Sequence, residues 1–220
     1  MTFDTVLIAN RGEIALRVMR ACKELGLRTV AVYSEADRAA MHVRYADDAY
    51  LIGPPPAVQS YLQIETLIEV AKRAGAGAIH PGYGFLAENA GFAEACAAAG
   101  IVFVGPTAAA MHQMGEKIPA RQIATHAHVP LVPGTTEAVE TAAEALRLGA
   151  EFGYPIAIKA SAGGGGRGLK VAYAPEEVEA AFDSARREAE AAFKNGVMFV
   201  EKYILDPRHI EIQILADQHG

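Results

Sequence analysis

The sequence has no tryptophan, and only two of its 220 residues are cysteine, Cys22 and Cys96. Both lie inside apolar helical patterns, with no CxxC spacing and no histidine cluster nearby. That excludes a zinc module and a disulfide scaffold, and two buried thiols point to a reducing compartment. Basic residues number 20 against 26 acidic ones, for a net charge of -6. They are scattered along the chain, so no basic stripe is offered to nucleic acid, and no such partner is expected. No apolar run approaches the length of a membrane span, and Met1 to Asn10 enters a strand pattern without a basic leader and apolar core. No membrane association is therefore expected, and cytoplasmic residence is the default. Two phosphate-binding signatures are absent as well: the first strand-to-helix turn carries no GxGxxG, offering only Gly12, and no glycine loop is closed by Gly-Lys-Ser/Thr.

What remains is a chain with 51% apolar and 21% charged residues, the balance of a globular protein large enough for one large or two modest domains. The run Thr5 to Ala9 is continuously apolar, as a parallel strand buried on both faces would be, and Asn10 to Glu13 turns it into a helix. That helix carries an apolar stripe of Ile14, Val18, Ala21 and Leu25 opposite Glu13, Arg17, Arg20 and Glu24. Gly26 stops it before the strand Thr29 to Tyr33. The alternation continues through a helix from about Ser60 to Ala74, the strand Gly77 to His80, a helix around Phe92 to Ala99 and the strand Ile101 to Val104. Strands alternating with helices predict an α/β fold with a doubly wound parallel sheet over residues 1–115.

The stretch Gly105 to Gly134 mixes a helical segment with Pro119, Pro130 and Pro133, and residues 116–134 of it read as a connector. A smaller α+β unit follows over 135–203. Thr141 and Glu144 have capping-box spacing, and Gly153 to Pro155 ends that helix before the strand Ile156 to Ala160. A glycine run leads into the strand Leu169 to Ala172, a helix spans about Pro175 to Phe193, and the strand Val197 to Val200 closes an antiparallel sheet. Over 204–220 the stretch His209 to Leu215 alternates Ile210, Ile212 and Ile214 with polar residues. It predicts a half-buried strand opening a further subdomain, with the natural protein expected to continue past Gly220.

The strongest chemical signal is Lys159-Ala-Ser-Ala-Gly-Gly-Gly-Gly-Arg-Gly168. Four consecutive glycines free the backbone to fold closely over a ligand, and successive amides there can cradle phosphate oxygens. Alternation puts Ile156 and Ile158 on one face of the preceding strand and Lys159 on the other, so an ammonium stands at the root of the loop. A strand rather than a helix follows, which favours a closing lid over a Walker loop. In His80-Pro-Gly-Tyr-Gly84 a strand ends in a glycine-flanked aromatic at the carboxyl edge of the parallel sheet, where ligands usually bind.

These phrases, with Ala9-Asn-Arg-Gly-Glu-Ile14, Met114-Gly-Glu-Lys117, Glu201-Lys-Tyr-Ile204 and Pro207-Arg-His-Ile-Glu-Ile-Gln213, resemble the biotin carboxylases of the ATP-grasp class along the whole chain. The run Glu13 to Leu25 with Ser60 and Tyr61 most resembles the free-standing subunit of bacterial acetyl-CoA carboxylase. The resemblance implies that the smaller unit is an ATP-grasp lid. It also implies that Lys117 and Lys159 contact ATP phosphates, that Gly165 and Gly166 lie in the closing loop, that Glu201, Lys202, Tyr203 and Ile204 hold adenine, and that His209 sits near the ribose. Tyr83 and Gly84 would contact biotin, and Arg17, Arg20 and Glu24 a homodimer partner. Ala162, Glu116 and Pro119 depart from the family pattern without removing a ligand group.

As the resemblance implies, the full enzyme uses ATP with Mg2+ or Mn2+ and bicarbonate to carboxylate biotin on a biotin carboxyl carrier protein, working with a carboxyltransferase. The metal-binding carboxylates, a bicarbonate-binding arginine and the general base would lie beyond Gly220, so no catalytic residue and no metal ligand is expected here. Two readings compete: an isolated module that binds nucleotide weakly or folds without ligand, and a dehydrogenase-like dinucleotide binder. Glu35 and Asp37 after the second strand prompt the latter, and the first βαβ unit, offering only Gly12 in place of GxGxxG, opposes it.

Overall fold

The computed structural model of the chain describes residues 3–115, 117–160, 168–193, 196–217 and 219, without the side chains of residues 117–119, 192 and 193. It divides into two compact units, residues 1–116 and 117–220. In the first unit the chain runs through β1 (Thr5–Ile8), α1 (Gly12–Glu24), β2 (Arg28–Ser34), α2 (Met41–Tyr45) and β3 (Asp48–Gly53). It continues through α3 (Ile64–Ala74), β4 (Ala78–His80), α4 (Ala90–Ala98), β5 (Val102–Phe103) and α5 (Ala108–Gly115). Among the described residues five strands form one parallel sheet in the order β3-β2-β1-β4-β5. The order reverses beside β1, which makes the carboxyl ends of β1 and β4 the natural place for a ligand.

Both faces of this sheet are buried, which explains its unbroken apolar strands. Val6 and Ile8 join Ala15, Val18, Met19 and Cys22 of α1 on one face. Leu7 and Ala9 point the other way, into a cluster with Leu67, Val70, Phe92 and Cys96 of α3 and α4. Each such fully buried aliphatic side chain stabilises the fold by about 1.5–3 kcal/mol. The buried stripe of α1 is Ala15, Val18, Met19 and Cys22, rotated from the expected Ile14, Val18, Ala21 and Leu25. Leu25 is the C-cap and lies 61% exposed, because its direction is set by the chain leaving the helix rather than by the helical period.

Two elements have no counterpart in the sequence reading, α2 and β3. The first is five residues long, and β3 is an edge strand in which only Ile52 is fully buried, so neither leaves a periodic apolar signature. The helix expected from Ser60 begins at Ile64. Ahead of it Ala57–Gln59 forms a 3-10 turn, and the Ser60 hydroxyl donates to Pro56 O at 3.0 Å.

The second unit contains α6 (Lys117–His126), α7 (Ala142–Phe152), β6 (Ile156–Ala160), β7 (Leu169–Ala172), α8 (Val178–Phe193) and β8 (Met198–Lys202). Pro119 falls in the first turn of α6, where a missing N–H leaves no helical bond unmade. The Thr141 hydroxyl accepts from the Glu144 N–H at 3.2 Å, as its spacing predicts, while the Glu144 carboxylate reaches the N–H of Glu140 rather than that of Thr141. Among the described residues the sheet is three-stranded and antiparallel, in the order β7-β6-β8. Its core joins Ile156, Ile158, Met198 and Val200 to Leu148 of α7 and Phe182 of α8.

The expected strand over His209 to Leu215 does not form. That segment has no helix or strand, and Ile210, Ile212 and Ile214 are 77%, 83% and 79% exposed. Alternation supplies one apolar face, but a strand also needs a hydrogen-bonded neighbour, and none lies beside this one among the described residues.

A polar knot sits where β2 ends. The Tyr61 hydroxyl donates to Asp37 Oδ2 at 2.6 Å and accepts from the Ser34 N–H at 3.1 Å. The same carboxylate oxygen accepts from the Ser34 hydroxyl at 2.9 Å and from Arg11 at 3.3 Å. Burial pushes the Asp37 carboxyl up, but the hydrogen bonds from Tyr61, Ser34 and Arg11 outweigh it and hold the group below its usual range. Burial, reinforced by Asp37, pushes the Tyr61 hydroxyl from 10.0 up to about 12. The fold favours neutral Tyr61, so its contribution is complete below pH 10.0 and is lost as pH rises through about 12. Tyr61→Phe should lower stability at neutral pH by about 1–2 kcal/mol in urea unfolding, through the two lost hydrogen bonds. The gap between wild type and variant should then narrow over that alkaline range, and a gap independent of pH would count against the assignment.

Candidate functional site

In the second unit, strand alternation separates two chemistries. Ile156, Ile158, Met198 and Val200 face α7 and α8 in the core. Lys159 and Glu201 face the opposite way, half-buried, at the end of β6 and on β8. The register pairs Ala157 with Glu201 and Lys159 with Phe199, so the two charged residues are diagonal neighbours on one face. Their side chains form an ion pair, with the Lys159 ammonium donating to a Glu201 carboxylate oxygen. Lys159 is one residue from the Ser161 to Arg167 segment, so a cation already held by a carboxylate stands at the root of the glycine run. Such a pair can exchange partners, the ammonium turning to a phosphate and the carboxylate accepting from an amine.

The neighbouring expected residues divide by side chain and backbone. Lys202 points back to the core side, where its ammonium donates to Gly153 O at 2.9 Å and Tyr154 O at 2.7 Å, neutralising carbonyls just past the end of α7. Its side chain is therefore structural. The Lys202 and Tyr203 amides donate to Pro133 O at 2.8 Å and Pro155 O at 3.0 Å, while Ile204 is half-exposed. His209 lies in the exposed segment with Glu211 at 3.6 Å, and no contact brings it to the Lys159–Glu201 pair. Lys117 opens α6, but its side chain lies outside the described residues, as do Gly165 and Gly166.

In the first unit the site is the loop that leaves β4. The Ala9 N–H donates to His80 O at 2.9 Å, holding the ends of β1 and β4 together. Asn10 is buried and bridges to the loop. The Gly82 N–H donates to His80 Nδ1 at 3.0 Å, and burial pushes this imidazole's pKa down, so the ring stays neutral with its proton on Nε2. Gly82 and Gly84 take φ of +66° and +68°, which only glycine adopts freely, and Tyr83 between them stands 65% exposed. Phe85 follows at φ +42°, a strained value for an aromatic residue. Its ring stacks on Tyr61 at 5.0 Å and 2°, with the Arg11 guanidinium over both rings. Asn10 is a functional candidate that the sequence does not single out. The available signal was an amide placed directly after a buried strand at the carboxyl edge of the sheet.

Arg17, Arg20 and Glu24 are exposed on α1 and, with Glu13 and Leu16, line a shallow concavity of about 330 Å³. Among the described residues no group of three or more histidine, cysteine, aspartate or glutamate side chains is placed to hold a metal ion. The described residues therefore do not fit a magnesium or manganese site. Asp37, one of the two acidic residues that prompt the dinucleotide reading, has its carboxylate taken up by Tyr61, Ser34 and Arg11.

Comparison with known proteins agrees with this geometry. The family model for the biotin carboxylase N-terminal domain matches residues 2–111, and that for the carbamoyl-phosphate synthase L chain ATP-binding domain matches residues 116–220. Biotin carboxylase of Halalkalibacterium halodurans is 53% identical over 218 residues, covering 99% of this chain and 48% of that protein. Mitochondrial pyruvate carboxylase of Mus musculus is 56% identical over 216 residues, covering 98% of this chain and 18% of that protein. Among solved structures, the biotin carboxylase domain dimer of Hydrogenobacter thermophilus 2-oxoglutarate carboxylase, in complex with MgADP, ADP and bicarbonate, superposes with a TM-score of 0.83. It is 48% identical, and the match covers 93% of this chain and 45% of that one. The chain spans about half the length, or less, of the relatives it matches. With its parallel five-stranded sheet, its three-stranded antiparallel sheet and these matches, the chain belongs to the biotin carboxylase family.

Proposed function

We propose that the complete gene product is the biotin carboxylase subunit of an acetyl-CoA carboxylase in the cytoplasm. It would carboxylate biotin on a carrier protein with ATP, taken up with magnesium, and bicarbonate, then hand the product to a carboxyltransferase for fatty acid synthesis. The observation that carries this reading is the Lys159–Glu201 pair on the open face of the second sheet, beside the glycine run. In the reaction a bicarbonate oxygen attacks the γ-phosphorus of ATP and ADP departs, giving carboxyphosphate. Its carbon dioxide, released with phosphate, is captured by a ureido nitrogen of biotin as that nitrogen loses its proton.

Phosphoryl transfer of this kind rests on positioning and charge neutralisation. Lys159, joined by Lys117, neutralises phosphate charge, and the segment bearing Gly165 and Gly166 closes over it to exclude water from the unstable intermediate. Glu201 turns to the exocyclic amine of adenine, with the backbone from Lys202 to Ile204 along the base edge and His209 toward the ribose. Tyr83 and Gly84 meet the biotin ring, and Arg17, Arg20 and Glu24 meet a second copy of the subunit.

A second reading keeps the half-reaction and changes the destination, to pyruvate, propionyl-CoA or methylcrotonyl-CoA. It is favoured by the range of relatives, which includes pyruvate and 2-oxoglutarate carboxylases at comparable identity. The partner carboxyltransferase that copurifies with the gene product separates the two.

Transfer of radiolabelled bicarbonate to biotin tests the shared half. The complete gene product should show ATP-dependent labelling, and Lys159→Ala should reduce it about 100-fold or more, the usual scale for losing one charge-stabilising group. Full activity in that variant would overturn the assignment. The 220-residue chain by itself should show no bicarbonate-dependent ATP hydrolysis. Steady turnover in a purified sample would contradict the proposed location of the metal and bicarbonate ligands past Gly220.

A further inference from the structure

The loop after β4 is held by two side chains, His80 through the Gly82 N–H and, from beneath, Asn10. Asn10 is 4% exposed, and its Nδ2 donates to Pro81 O at 2.7 Å and Tyr83 O at 2.8 Å. Its Oδ1 accepts from the Arg11 N–H at 2.8 Å. A carboxamide of this length supplies two donors and an acceptor at once, which a carboxylate or hydroxyl of similar size cannot. The two carbonyls flank Gly82, where an added Cβ would lie 2.9 Å from Nδ2, so the loop backbone rests directly on the amide. At the far end Phe85 is fixed by its stack on Tyr61 beneath Arg11. Residues 81–85 are thus anchored at both ends, with Tyr83 at the crest.

We propose that Asn10 is a positioning residue for the acceptor ring: it touches no substrate but sets the height and direction of Tyr83 and Gly84. This rests on the reading of those two residues as biotin contacts. The argument from geometry is that both Nδ2 bonds end on main-chain carbonyls of the loop, so their loss moves the loop rather than emptying the core. A shift of the contact surface by a fraction of an ångström is felt by the ring it orients and not by the nucleotide.

The test is steady-state kinetics of the complete gene product, with KM measured separately for free biotin and for ATP. Asn10→Asp faces the two carbonyls with a charge that repels them, and Gly82→Ala presses on the same contact from the loop side. Each should raise KM for biotin about tenfold while KM for ATP moves less than about twofold. Gly82→Ala keeps the test available if Asn10→Asp does not fold. Tyr83→Ala is run in parallel to probe the underlying reading. If it raises KM for biotin while a folded Asn10→Asp or Gly82→Ala does not, Asn10 is not a positioning residue and the reading of Tyr83 stands. If Tyr83→Ala leaves KM for biotin unchanged, that reading fails and the role of Asn10 fails with it. Equal rises in both KM values would mark a general structural role and overturn the proposal.

Discussion

An ammonium at the root of a glycine-rich run must be kept out of the core and yet out of bulk water, and strand alternation does this for Lys159. β6 is the central strand of its sheet, so one side of it is sealed by α7 and α8 and the other is left for chemistry. Pairing with β8 brings Glu201 onto the same open face. A half-buried ion pair of this kind adds little to stability, because desolvation offsets much of the attraction. Such a pair can exchange partners, because each group is already oriented and already partly dehydrated. Lys202, the next residue but on the opposite side of the strand, shows the contrast. Its ammonium is committed to carbonyls at the end of α7, so two adjacent charged residues have separate duties set by the pleat.

The first unit solves a different problem by the same economy of position. Its sheet reverses order beside β1, which leaves a crevice at the carboxyl ends of β1 and β4. Into that crevice the chain places a loop with three residues at positive φ, and each is compensated. Glycine removes the steric penalty at positions 82 and 84, and aromatic stacking offsets it at Phe85. The Asp37 knot beneath holds Tyr61, Tyr61 holds Phe85, and the crest of the loop is thereby fixed from the core outward.

Much of this was legible from residues alone. The two-sided burial of the parallel sheet follows from its continuous apolar strands, and the separation of Lys159 from Ile156 and Ile158 follows from alternation. What was not legible has physical reasons. An edge strand such as β3 is held by its neighbour's hydrogen bonds and so has little apolar periodicity of its own. The stripe of α1 was misplaced because several arcs of that helix are apolar and the sheet chose among them. His209 to Leu215 carries a strand's pattern without a strand's partner. The part of Asn10 was hidden because an amide's worth depends on where two carbonyls 71 and 73 residues away converge.

The chain belongs to the biotin carboxylase family, and the face carrying Lys159 and Glu201 is where the proposed nucleotide role is most directly open to measurement. Hydrogen–deuterium exchange of the complete gene product, with and without MgATP, reads that face strand by strand. Slowed exchange on adding nucleotide is predicted along β6 and from Met198 to Ile204, with the effect abolished in Lys159→Ala. Slowing confined to the first unit, or an undiminished response in the variant, would contradict the account.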